Sequence, residues 1–258
     1  MISRKFLRGL LGVLGVIVLL ELASRSGLVD QTGLPPATTV LRRAGGLAVD
    51  GEFLGDVWGT VTAWFIALLL ATAIGVPLGL LLGSVPAVSR AAEVLVELLR
   101  PIPSVALLPV ALALFSSATE MKTYLAMYAC LWPILHGTIY ALADVDPIAQ
   151  DTLRTFGFGK PAILWRVGLP SAAPFIATGV RISVSVGLVV TVIAELLGGG
   201  SKGIGEYLIT TQSAGGHTDL ELAGALWAGV LGFTVNQLLV SAERRVFRWH
   251  HARSEATT

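Results

Sequence analysis

Arg181 and Glu195 stand inside the apolar stretch 171–197, where a charge is costly unless it faces a cavity or a partner. They are fourteen residues apart, about 21 Å along a helix, so they cannot pair with each other within one span. Two roles are open to Arg181: drawing an anion along a path through the membrane, or pairing with a carboxylate or carbonyl of a neighbouring helix. Glu195 falls nearer the end of the stretch, either lining the same path or lying at headgroup level. Gly198, Gly200 and Gly203 spell G-x-G-x-x-G, but no strand–helix unit surrounds them, so a turn is expected there rather than a dinucleotide site. Gly159-Lys160 is followed by Pro161, with no glycine five positions before Gly159, so the chain carries no phosphate loop. Cys130 is the single cysteine, which excludes an intrachain disulfide and a thiolate metal cluster. No catalytic, cofactor or metal site is expected. His136 falls mid-span beside Pro133 and suits packing better than proton transfer.

The elements that hold these residues are membrane helices. Of 258 residues, 54% are hydrophobic and only 14% charged, against roughly a quarter charged in a soluble domain. Mean hydropathy is +0.76. No Asp, Glu, Lys or Arg interrupts 57–89, 123–143 or 222–242, and about 20 apolar residues cross a bilayer. A soluble enzyme, a disordered chain and a nucleic-acid-binding module are excluded. Six spans are expected, at about 6–23, 57–89, 101–117, 123–143, 171–197 and 222–242. The stretch 90–100 is expected as an interfacial or cytoplasmic helix, and Ser24–Asp56 as a loop. The first run also has the outline of a signal peptide, but Glu21 and Arg25 flank the small pair Ala23-Ser24, a poor cleavage site. It reads as a retained helix. With six spans, twelve of the eighteen Lys and Arg fall on the side of both termini and the connection 144–169, which places that side in the cytoplasm. Gly75, Gly79 and Gly83, spaced by four, predict close helix packing.

The connection 144–169 carries its own design. Asp146 is a good helix N-cap and Pro147 fits the first helical position. Ile148, Thr152, Leu153 and Phe156 then gather on one side of a short helix, with Gln150, Asp151 and Arg154 facing away. Gly157 and Gly159 supply an end. Taken by its amphipathicity alone, this helix suits a protein partner outside the bilayer as well as it suits the lipid surface.

Asp151-Thr152-Leu153, three residues, Gly157, nine residues, Val167, one residue and Leu169-Pro170 resemble the EAA motif of ABC importer permeases, EAA-x3-G-x9-I-x-LP. The surrounding 144–182, the stretch 98–115 (LLRPIPSVALLPVALALF) and 194–208 (AELLGGGSKGIGEYL) are similar to the nitrate/sulfonate/taurine branch. The resemblance covers about 57–242. The sequence departs from the motif in having Asp151 for its glutamate and Thr152 and Leu153 for its two alanines.

The resemblance implies an all-α membrane protein of type I importer permease (MetI-like) architecture. Its domains would be an N-terminal helix and extracytoplasmic loop at 1–56, a transporter transmembrane domain at 57–245 and a cytoplasmic tail at 246–258. The helix at about 147–160 would be a coupling helix. It would dock on an ATPase through Asp146, Asp151, Thr152, Leu153, Phe156, Gly157, Val167, Leu169 and Pro170, with Pro170 opening the next span stiffly. Arg181 and Glu195 would be the candidates for the translocation path. The chain would not be an enzyme. ATP and magnesium would be held by two separate ATPase subunits, with no cofactor in this chain. An extracytoplasmic solute-binding protein, a second copy of the chain and membrane lipid complete the expected partners, with no nucleic acid. The setting implied is a bacterial plasma membrane, crossed several times with both termini cytoplasmic. The cargo implied is a small anion: nitrate, a sulfonate or a taurine-like solute. Alternatives are a vitamin precursor or other small organic solute carried by the same class of importer, or an ion-gradient-driven secondary transporter, which predicts internal repeats that the sequence lacks.

Overall fold

The computed structural model describes residues 4–26, 33–215 and 217–246; apart from Val246, the tail expected at 246–258 lies outside them. The described residues are almost entirely helical and contain no strand. Among them four helical stretches are long and apolar enough to cross a membrane. A sharply bent helix pair raises this to five if the pair counts as one span. The 22-residue helix α1 (Arg4–Arg25) stands beside these. It presents Leu11, Val13, Val16 and Leu19 outward. Glu21 ties it to the next helix, accepting from the backbone N–H and hydroxyl of Thr38, both at 3.0 Å.

The segment expected as a loop before residue 57 is largely helical. α2 (Ala37–Leu47) packs on the helix that closes the described residues, Thr218–Val246. α3 (Gly51–Ser84) starts six residues early because the Asp50 carboxylate caps it, accepting from the N–H groups of Glu52 and Phe53. Phe53 is buried there against Tyr207 and Trp227. α3 ends at Pro86, which holds Val85 in extended backbone and opens α4 (Pro86–Leu99).

The expected third span at 101–117 is not one straight helix. A 3-10 turn (Ser104–Leu107) leads into α5 (Leu108–Leu114), whose seven residues cover about 10 Å. This arm meets α4 at 81°. Pro101 and Pro103 explain the break, since each withholds the N–H that would continue the helical ladder.

The core is built by α3, α6 (Ala118–Ala143) and α9 (Leu169–Gly198). Small residues bring their backbones together, as membrane packing requires. A Cβ on Gly75, Gly79 or Gly83 would meet Ile134, Thr138 or Leu142 at 3.0, 2.6 or 2.8 Å, so two stripes of period four interlock α3 with α6. α6 crosses α9 at Gly137 and Gly179, where a Cβ on Gly137 would lie 3.2 Å from the Gly179 Cα. Further along this contact the Ser183 hydroxyl donates to the Cys130 carbonyl at 2.7 Å, and from α3 the Trp64 indole N–H donates to the Val184 carbonyl of α9 at 3.0 Å. Ala63, Ala67, Ala71 and Ala126 fill the space between the helices without any exposure.

Beyond α6 come α7 (Pro147–Thr155), α8 (Lys160–Ile163) and a π-helical turn (Leu164–Gly168) that runs into α9. After α9 a glycine-rich turn leads to α10 (Ile204–Ser213) and α11 (Thr218–Val246). α7 therefore marks one end of the bundle, and the turn before α10 marks the other.

Candidate functional site

α7 forms as its local sequence dictates. The Asp146 carboxylate accepts from the Ile148 N–H at 2.8 Å, with Pro147 in the first turn. At the other end Gly157 adopts φ +81°. Its N–H donates to the Arg154 carbonyl and that of Phe158 to the Leu153 carbonyl, at 2.9 and 3.1 Å. These two bonds form a Schellman closure, which a residue with a Cβ closes only under strain. The nine residues are about 14 Å long.

The division of faces differs from the sequence expectation. Ile148, Thr152 and Phe156, four apart, point outward; Ile148 and Phe156 are each 76% exposed. Leu153 instead turns inward with Gln150, and both are half-buried. The physical reason is the helical advance of about 100° per residue, which carries Leu153 away from Thr152. Asp151 stays outside, where its carboxylate pairs with the exposed Arg154 guanidinium at 2.7 Å. The Arg166 guanidinium lies over the Phe158 ring at 4.7 Å, a cation–π contact that joins the end of α7 to the π turn.

That turn corrects the expected start of the fifth span. The helix does not begin at Pro170. It runs unbroken from Lys160 to Gly198, with Val167, Leu169 and Pro170 inside it. Pro170 has no N–H to give and its ring crowds the carbonyl four residues back. The helix widens just before it, the Leu169 N–H reaching the Leu164 carbonyl. Gly168 is buried here, and a Cβ on it would meet Leu164 at 3.0 Å. Only residues 156–159 separate α7 from this long helix.

Arg181 and Glu195 have different surroundings. Arg181, half-buried, pairs through its guanidinium with Glu243 of α11 at 3.1 Å. Glu195 does not reach an open surface. Its carboxylate is fully buried and accepts from the Lys122 ammonium at 2.7 Å, the Thr60 hydroxyl at 2.9 Å and the Gly205 N–H at 3.0 Å. Lys122 also donates to the Lys202 carbonyl at 2.7 Å, and the Ile204 N–H donates to the Thr60 hydroxyl at 2.9 Å. Three core helices and the turn into α10 are thus tied at one buried ion pair, with partners supplied for both charges.

The glycine string finds its use here. Gly203 and Gly205 press on the Glu195 side chain, and a Cβ on either has no room. Gly59 has no room for one beside the Lys202 carbonyl. Lys122 and Thr60 escaped sequence reasoning because their partner is distant in the chain. The one available signal was that Lys122 borders an uncharged run of 21 residues.

Between α6 and α9, in the half of the bundle toward α7, runs an open groove of about 640 Å³. Pro133, His136, Tyr140, Phe175, Thr178 and Ile182 line it. His136 therefore borders open space rather than closed packing.

Residues 75–248, about two thirds of the chain, match the model of the binding-protein-dependent transport system inner membrane component. The chain belongs to that family. Members are the membrane subunits of ABC importers, partnered by ATPase and substrate-binding proteins, and are not enzymes. The protein is accordingly a multi-pass membrane permease. The chain is 30% identical to the taurine transport system permease protein TauC of Escherichia coli, over 86% of this chain and 82% of the relative. It is 25% identical to the putative aliphatic sulfonates transport permease protein SsuC of Bacillus subtilis, over 96% and 89%. It is 26% identical to the nitrate import permease protein NrtB of Leptolyngbya laminosa, over 70% and 64%. Among solved structures, a bacterial ABC transporter involved in alginate import superposes with TM-score 0.67 at 15% identity, covering 94% of this chain and 93% of that one. The inward-facing MetNI methionine transporter gives 0.63 at 18% identity, covering 75% and 93%. These two likenesses carry the MetI-like fold.

Proposed function

We propose that this permease forms the translocation path for a small solute of the nitrate, sulfonate or taurine class, delivered by a solute-binding protein and driven by ATP hydrolysis on separate subunits. One observation carries the mechanism: α7 is capped at both ends and turns Ile148 and Phe156 outward at one end of the bundle. An isolated helix of nine residues is marginal in water, so a partner groove that covers this face is the natural support. Two ATPase subunits, holding ATP and magnesium, provide it on two copies of this chain. Asp146 and Gly157 set the shape of the docking helix, while Asp151, Thr152 and Phe156 present its surface. Leu153, Val167, Leu169 and Pro170 seat it on the membrane helices.

Closure of the ATPases moves α7, and the long helix from Lys160 carries that motion toward the opposite end. The π turn before Pro170 is the joint at which the stroke enters the membrane. Arg181 lies on the same helix, and its contact with Glu243 passes movement to α11. Glu195 serves as the anchor at the far end, with the carboxylate withheld from solute. Both termini and α7 lie in the cytoplasm in this arrangement.

The test reconstitutes the permease with its ATPase and binding protein in proteoliposomes. ATP-driven uptake of taurine, an alkanesulfonate or nitrate is expected, with a Phe156→Cys variant crosslinking to the ATPase. Uptake that follows an ion gradient without ATP, or a Phe156→Cys variant that never reaches the ATPase in a working assembly, overturns it.

A further inference from the structure

A cavity of about 300 Å³ lies between α7, the ends of α3 and α6, and the start of the long helix from Lys160. Its walls divide by chemistry. Leu142, Val145, Ile163 and Leu164 make one part apolar, while Ser84, Gln150, Arg154 and Lys160 bring a hydroxyl, an amide and two cations. A third cation stands at the edge. The Arg90 side chain turns back along α4 and its Nε–H donates to the carbonyl of Pro86, itself a wall residue, at 3.3 Å. No Asp or Glu is among the wall residues.

The donors of these groups are largely uncommitted. Arg154 gives one N–H to Asp151, which does not line the cavity, and a guanidinium has four more. Lys160 takes part in no ion pair among the described residues. The Gln150 amide donates to the Val145 carbonyl at a long 3.4 Å and keeps a second N–H. Cations around one small cavity repel one another, and an anion placed among them relieves this.

The two kinds of wall select the anion. An inorganic ion has no use for the apolar part, whereas an amphiphile satisfies both. An acidic side chain of an ATPase docked on α7 is on the wrong side, because Gln150 and Arg154 stand about 160° around the helix from outward-facing Thr152. The cavity lies where the uncharged runs 57–89 and 123–143 end, the headgroup level of a bilayer. Trp165, 68% exposed on the neighbouring π turn, suits the same level. Basic pockets between membrane helices on the cytoplasmic side take anionic headgroups.

We infer that this cavity binds the phosphate group of an anionic phospholipid, its oxygens on Lys160, Arg154 and Arg90 and its glycerol and upper acyl carbons on the apolar wall. Charge-assisted bonds from ammonium and guanidinium groups hold the phosphate. The lipid bridges α7 to α3, α4 and α6, and so steadies the seat of the short helix. A zwitterionic lipid brings its own ammonium group to three cations and binds less well. The site goes beyond the importer reading and takes from it only the cytoplasmic placement of α7.

The test uses the purified complex of permease and ATPase, stripped of lipid in detergent. It is titrated with short-chain phosphatidylglycerol or phosphatidylcholine, and bound lipid is counted by native mass spectrometry. Each basic residue is worth about fivefold in affinity for an anionic headgroup. Phosphatidylglycerol is therefore expected to bind about a hundredfold more tightly than phosphatidylcholine, and Lys160→Gln and Arg90→Gln to lose about fivefold each. Both side chains are exposed, so the melting temperature should not move. Lys160→Arg should bind as wild type does, and so should Arg42→Gln, whose charge lies at the opposite end of the bundle. Equal binding of the two lipids, or an equal loss in Arg42→Gln, overturns the site. Displacement of the lipid by millimolar inorganic phosphate makes it a free-anion site and overturns the lipid assignment. Bound lipid is counted without transport, so a complex that keeps this pattern yet imports no solute counts against the importer reading alone.

Discussion

Lys122 and Glu195, 73 residues apart in the chain, meet at 2.7 Å with 1% and 0% of their side chains exposed. The pair closes the end of the bundle opposite α7, and its remaining bonds reach α3 through Thr60 and the α10 turn through Gly205 and Lys202.

Removing one partner leaves the other charge buried and unpaired. Lys122→Met and Glu195→Leu are each expected to destabilise the permease by about 3–5 kcal/mol, and the double variant by less than either. Thermal unfolding in detergent checks this as a double-mutant cycle. Additive losses would show that the two charges do not act as a pair.

Gly157 sits at φ +81° with nothing within 4 Å of the place a Cβ would take. The penalty there is conformational, since space is open. Gly157→Val is expected to cost about 1–3 kcal/mol at the end of α7, and Gly157→Asn, which tolerates this backbone, much less. ATP-driven uptake should fall sharply in the valine variant while the membrane bundle keeps its melting temperature. A valine variant with wild-type uptake removes the need for this closure.

Phe156 is 76% exposed, so Phe156→Asp leaves the fold of the permease unchanged to within about 0.5 kcal/mol. Copurification with the ATPase should be lost. Retained copurification with full uptake would place the docking surface elsewhere.

A Cβ on Gly79 would lie 2.6 Å from the Thr138 Cβ. Gly79→Leu is expected to force α3 from α6 and to destabilise by about 1–3 kcal/mol or more. Gly9, with nothing within 4 Å, accepts an alanine without loss. The difference in thermal stability between these two variants measures the packing of the stripe.

Much of the candidate site was legible because its signals are local. Asp146-Pro147 starts α7 and Gly157 ends it through bonds spanning five residues or fewer, and the EAA-like spacing pointed to the same segment. The split of Ile148 from Leu153 was blurred because a count of apolar residues does not say which side the bundle covers. The start of the fifth span was misplaced for a related reason. Pro170 in isolation marks the first turn of a helix, yet a π turn lets a helix begun at Lys160 pass through it.

Sequence alone determined the class, the presence of the long apolar helices and the short helix between them. A long apolar run in lipid must satisfy every backbone group within itself, so its helical state follows from composition. Tertiary structure decided what the buried charges and the polar ring groups do. Glu195 became an anchor and His136 a groove-lining group because their surroundings come from α3, α6, α9 and the α10 turn. Electrostatic and packing energies depend on distances that chain spacing does not contain, and only the folded bundle brings those groups within reach.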